Sequence, residues 1–109
     1  MIDWERIREL RQDIGKDSFD EVVAMFFVEA DRAVANLAAS DGAKALAGQL
    51  HALKSAALNL GFRQLAGLCR RYEDLVAGGD VELDIDAVHR AYDAARRAYD
   101  QGAARSSAA

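Results

Sequence analysis

No proline occurs anywhere in the 109 residues, and the eight glycines fall mostly between segments whose apolar residues recur at helical spacing. Proline stops a helix by removing a backbone donor and crowding the preceding turn. A chain without it, rich in Ala, Leu, Glu and Arg, is free to run as long helices. The fold class read from this pattern is all-α.

Five segments carry the helical period. Residues 2–10 form a short amphipathic opening, with Ile2, Ile7 and Leu10, or Trp4 and Ile7, on one side; this segment is expected to lie across a larger body. Gly15 breaks it, and Ser18-x-x-Glu21 has the form of a capping box before a long apolar run. A second helix is therefore predicted over about 18–39, with Phe19, Val22, Val23, Phe26, Phe27, Ala30, Val34 and Leu37 as a stripe wide enough to face two neighbours. A third is predicted over about 42–60, ended by Gly61 as a left-handed cap. A fourth, over about 62–77, turns Leu65, Leu68, Cys69, Tyr72, Leu75 and Val76 inward. In the fifth, Ile85, Val88, Tyr92, Ala95 and Tyr99 share one stripe. Short connections between long amphipathic helices predict an antiparallel four-helix bundle with a short additional N-terminal helix. Residues 1–101 are read as one domain and 102–109 as a disordered tail.

The formal net charge of -4 opposes a nucleic-acid surface, which depends on clustered cations. No apolar run of about 18 residues could span a bilayer, and the opening residues lack the basic and apolar regions of a secretion signal. The expected setting is cytoplasmic, with no membrane or nucleic-acid partner. Cys69 is the only cysteine and lies on an apolar face, so it is read as core.

The segment HALKSAALNLGF, residues 51–62, sets one of the chain's two histidines in an alanine-rich helix. At about 100° per residue, Leu46, Leu50, Leu53, Ala57 and Leu60 gather on one side as the core stripe, and His51 points about 140° from its centre. It is expected to face water, above the low surface of Ala47, Gly48, Ser55 and Leu58. Such a surface would let a second protein approach closely. An imidazole near neutral pH offers a ring-nitrogen lone pair to a phosphoryl group. Lys54, at i+3, can offset the phosphate charge without competing as an acceptor. His89 has Asp86 at i-3 and Asp93 at i+4, which would repel phosphate, so it is read as a solvated surface histidine.

His51-Ala52-Leu53-Lys54-Ser55-Ala56-Ala57-Leu58-Asn59-Leu60-Gly61 resembles the signature of the histidine-containing phosphotransfer (HPt) domain family, in which a phosphoacceptor histidine is followed by leucine, lysine, a small residue and later Asn-Leu-Gly. Looser likeness extends over residues 8–78. The resemblance implies that His51 accepts a phosphoryl group from a receiver-domain aspartate and passes it to another. It also implies that Lys54 steadies the phosphate and that magnesium belongs to the partner receiver. The chain itself is expected to need no cofactor or metal and to act as a monomer. Ser55 stands where the family usually has glycine. Arg70, Arg71 and Glu73 on the following helix are read as a solvated face. With no nucleotide loop and no length for an ATP-binding domain, the chain is read as a phosphocarrier and not a kinase.

Two other readings compete. In one, the bundle is a non-catalytic adaptor that binds a partner protein through the face around Leu58, with His51 incidental. In the other it holds a metal or haem, but two histidines on different helices and no paired Glu-x-x-His elements leave that reading without ligands.

Overall fold

The computed structural model describes residues 2–108, with side chains described through Ala103. It contains α1 (Trp4–Ile14), α2 (Lys16–Leu37), α3 (Ala43–Asn59), α4 (Arg63–Ala77) and α5 (Ile85–Ala108). Around the bundle α2 packs on α3, α3 on α4, α4 on α5, and α5 back on α2, while α1 lies against α2 and α3. The pairing is antiparallel. Along α2 and α5, Phe27 meets Tyr99 while Asp31, further along, meets Arg96 and Tyr92.

The core follows the apolar stripes. Leu50, Leu53, Leu60 and Val88 are fully buried, and Cys69 joins them as expected. One end is sealed by rings: Phe27, Phe62 and Tyr99 lie 5.4–6.2 Å apart, and Trp4 stacks on Tyr99 at 5.6 Å. Offset and tilted aromatic pairs of this kind add to the area they bury. Further along, α2 and α5 are clamped on their outer edge. The Tyr92 hydroxyl and the Arg96 guanidinium both donate to Asp31, and the same guanidinium lies 4.6 Å from the Phe27 ring centroid. Burial first, then the hydrogen bond to Asp31, pushes the Tyr92 phenol well above its usual range.

Gly61 closes α3 as the sequence predicts. Its φ is +72°, the Phe62 N–H returns to the Ala57 carbonyl at 2.8 Å, and the Gly61 N–H returns to Leu58 at 3.3 Å. This is a Schellman closure. The same glycine lets α1 attach: the Asp3 N–H donates to its carbonyl at 2.7 Å, while Asp3 Oδ1 caps α1 through the Arg6 N–H. A Cβ on Gly61 would stand 2.6 Å from the Asp3 carbonyl oxygen.

Two local expectations change. The capping box does not form, because Gly15 ends α1 and begins α2 at once, and its carbonyl accepts the Phe19 N–H at 2.9 Å. Ser18 is thus already inside the first turn. Leu75, expected inward, is exposed at the outer edge of α4. The helix α5 runs on to Ala108, through most of the segment read as a tail. At Gly102 a Cβ would collide with the Trp4 indole, so the missing side chain lets α1 and α5 close on each other there. Ala109 lies outside the described residues.

Candidate functional site

His51 and Lys54 project from successive turns of α3, and their environments differ sharply. The His51 side chain is 67% exposed, whereas that of Lys54 is only 22% exposed and lies along the seam with α4. Leu46, Leu50 and Leu53 on α3 are committed to the core, leaving small residues within a turn of His51 on its outer side. Gly48 and Ser55 are exposed, Ala47 is half-buried, and a Cβ on Gly48 would meet nothing. Leu58 is 54% exposed two turns beyond His51. The imidazole therefore stands on a low face.

The partner of both side chains comes from α4. Lys54 Nζ lies 2.9 Å from Glu73 Oε1 and donates to Oε2 at 3.2 Å. Oε1 is buried and takes only this ion contact, with no directed hydrogen bond. Glu73 Oε2 also stands 3.5 Å from His51 Nδ1, an ion-pair distance too long for a strong hydrogen bond. One carboxylate thus faces an ammonium and an imidazole together. With Nδ1 turned toward Glu73, the other ring nitrogen, Nε2, is left for an incoming group.

This geometry corrects the reading of Glu73 as part of a solvated face. Arg70 and Arg71 are exposed, but the Glu73 side chain is only 21% exposed and ties α4 to α3. The helical spacing contained the signal: Glu73 follows Cys69 by four residues and precedes Val76 by three, and both of those are buried. Cys69 lies under the site, where burial first and the Glu73 charge second push its thiol up to about 12, against the pull of Lys54. Lys54 is likewise not a free cation waiting for phosphate. The contrast with His89 also weakens, since His51 itself has a carboxylate beside it. His89 is half-buried rather than fully solvated, and among the described residues it pairs with neither Asp86 nor Asp93.

The Hpt domain family matches residues 21–105, more than three-quarters of the chain. The chain belongs to the Hpt domain family. Comparison with curated proteins and with solved structures gives no match. Hpt domains are phosphocarrier modules without a kinase domain, and they work with receiver domains in phosphorelays. The Hpt match takes in the four bundle helices from within α2 onward, including His51, Lys54 and Glu73, and leaves α1 outside. No helix among the described residues is long and apolar enough to cross a membrane.

Proposed function

We propose that this Hpt domain carries a phosphoryl group on His51 Nε2, taking it from the aspartyl phosphate of one receiver and giving it to the aspartate of another. The observation that supports this most directly is the pairing of an open imidazole with a half-buried Lys54–Glu73 ion pair at its base. In the forward step the Nε2 lone pair forms the N–P bond as the acyl O–P bond of the receiver breaks, and the carboxylate leaves with that electron pair. The proton stays on Nδ1, so the ring becomes cationic. Glu73 Oε2, 3.5 Å from Nδ1, stabilises that cation. The Lys54 ammonium faces the developing phosphoryl charge while Glu73 fixes its position. The receiver brings its own magnesium ion, and Ala47, Gly48, Ser55 and Leu58 form the face on which it docks. The reading carries with it a cytoplasmic, monomeric carrier.

His51→Gln is the direct test. Incubated with a phosphorylated receiver, the parent should take up label that is stable in alkali and lost in acid, as an N–P linkage requires. His51→Gln should take up none while its helical circular dichroism stays parental. Label retained by that variant, or lost only in His89→Gln, rejects the assignment. Receiver binding with no label transfer would instead favour the adaptor reading.

A further inference from the structure

A recess of about 890 Å³ opens where α1, the start of α2 and the last turns of α5 converge, and it shares no residue with the His51 site. Its floor is apolar and aromatic: Ile7, Phe19 and Tyr99 are buried, and Trp4 is half-buried against Tyr99. Its rim is cationic. Arg8, Arg11 and Lys16 are exposed around it, with Asp20 as the only acid among its lining residues. Among the described residues none of the three cations makes an ion pair, although the Arg11 guanidinium rests 5.9 Å from the Phe19 ring centroid. In a chain of net charge -4, this is a local reversal of sign over an apolar floor.

We propose that this recess docks an acidic peptide segment of a partner protein, with an aromatic or aliphatic side chain entering over Trp4 and flanking carboxylates meeting Arg8, Arg11 and Lys16. Charge complementarity selects the sign, because three cations around one groove, with no ion-pair partner among the described residues, repel a basic segment and are answered by an acidic one. Their placement selects an extended ligand over a single anion. Arg8 and Arg11 are one helical turn apart on α1, and Lys16 lies beyond the Gly15 junction at the start of another helix, so the charges are strung along a rim. A chain with several carboxylates can meet all of them. The aromatic floor is recessed between three helices, which suits a side-chain anchor better than a flat lipid surface. Every α1 and α2 residue lining the recess precedes residue 21, where the family match begins, whereas its α5 wall, including Tyr99 and Gly102, lies inside the match. The recess does not depend on His51.

Trp4 is the only tryptophan, so its emission reports directly on the recess. The test titrates the full chain with the blocked peptide EEFEELFEE, with the same peptide carrying Gln for every Glu, with phosphatidylglycerol vesicles, and with anilinonaphthalene sulfonate. The acidic peptide should shift Trp4 emission saturably. Binding should weaken by roughly tenfold or more for the Gln peptide, for the double variant Arg8→Glu/Lys16→Glu, and at high salt. Both changed residues are exposed, so the variant should melt with the parent and should still label at His51. If it melts lower, Arg8→Gln/Lys16→Gln replaces it, with an intermediate loss of affinity expected. The proposal is overturned by no saturable shift at up to about millimolar peptide, or by equal binding of the Gln peptide or the charge-reversed variant. It is equally overturned by a response to vesicles but not to peptide, or by anilinonaphthalene sulfonate that saturates the recess and is not displaced by peptide.

Discussion

Glu73 reaches His51 and Lys54 from a different helix, so changing it separates the chemistry of the site from the stability of the bundle. Glu73→Gln keeps the shape and removes the charge that faces the imidazolium. It should slow loading from a labelled receiver by about fivefold to tenfold, the equivalent of roughly 1 kcal/mol, in a quench-flow assay, while unloading stays as fast or becomes faster because the loaded imidazolium has lost its counter-charge. Lys54→Ala instead leaves a half-buried carboxylate unpaired and should cost about 1–3 kcal/mol in urea unfolding. Lys54→Ala/Glu73→Gln should be the more stable of the two, and a double variant weaker than Lys54→Ala would contradict the pairing. Beneath them, Cys69 has its thiol raised from 9.0 to about 12, first by burial and then by Glu73. A folded-state value above the unfolded one means that the contribution to stability is complete below about pH 9 and is lost as pH rises toward 12. The melting temperature of Cys69→Ala should therefore fall less steeply than the parent's between pH 9 and 11; parallel curves would show that the thiol is not held protonated. At this scale, His51 and Lys54 were legible because a wheel angle needs only one helix. For Glu73 the spacing to Cys69 and Val76 carried only its inward placement, because its meeting with His51 and Lys54 depends on how α4 lies against α3.

Helix order was legible from the apolar period, whereas helix ends depended on which backbone groups met across the chain. Gly61 was readable as a cap because its neighbours alone require a left-handed residue there. Its second task, receiving the Asp3 N–H, was hidden because α1 is 58 positions away in sequence. Ser18 misled for the opposite reason: its local pattern is sound, but Gly15 starts α2 first. Leu75 was assigned inward by spacing, yet its side chain stays exposed at the edge of α4. Gly61→Ala tests the element-level attachment. The substitution meets both a positive φ and the Asp3 carbonyl, so a loss of about 1–3 kcal/mol is expected, together with a red shift of Trp4 emission as α1 lifts. A variant with parental stability and emission would show that α1 is held by its aromatic contacts alone.

The whole molecule presents His51 on a low face and keeps its apolar recess elsewhere, at the end where α1 meets α5. The bundle was legible because five stripes without proline allow few packings. The recess was not, since its lining comes from both ends of the chain. Ser55→Arg and Leu58→Glu probe the low face as a docking surface. Both residues are exposed, so each variant should melt within about 0.5 kcal/mol of the parent while losing transfer from a receiver. Phosphoramidate, a small donor that needs no docking surface, should still label His51 in both. Parental transfer rates from the receiver would remove this face from the interface.

The Lys54–Glu73 pair has a further consequence for traffic through the domain. A lysine with no counter-charge would bias the site toward its loaded state. Here the ammonium already answers to a carboxylate at 2.9 Å, so less of its charge is left to hold the phosphoryl group. Loading and unloading should then lie close to balance, and the direction of flux should follow which receiver is charged and which is empty. The domain would behave as a two-way exchange, with its bias set by supply and demand on either side.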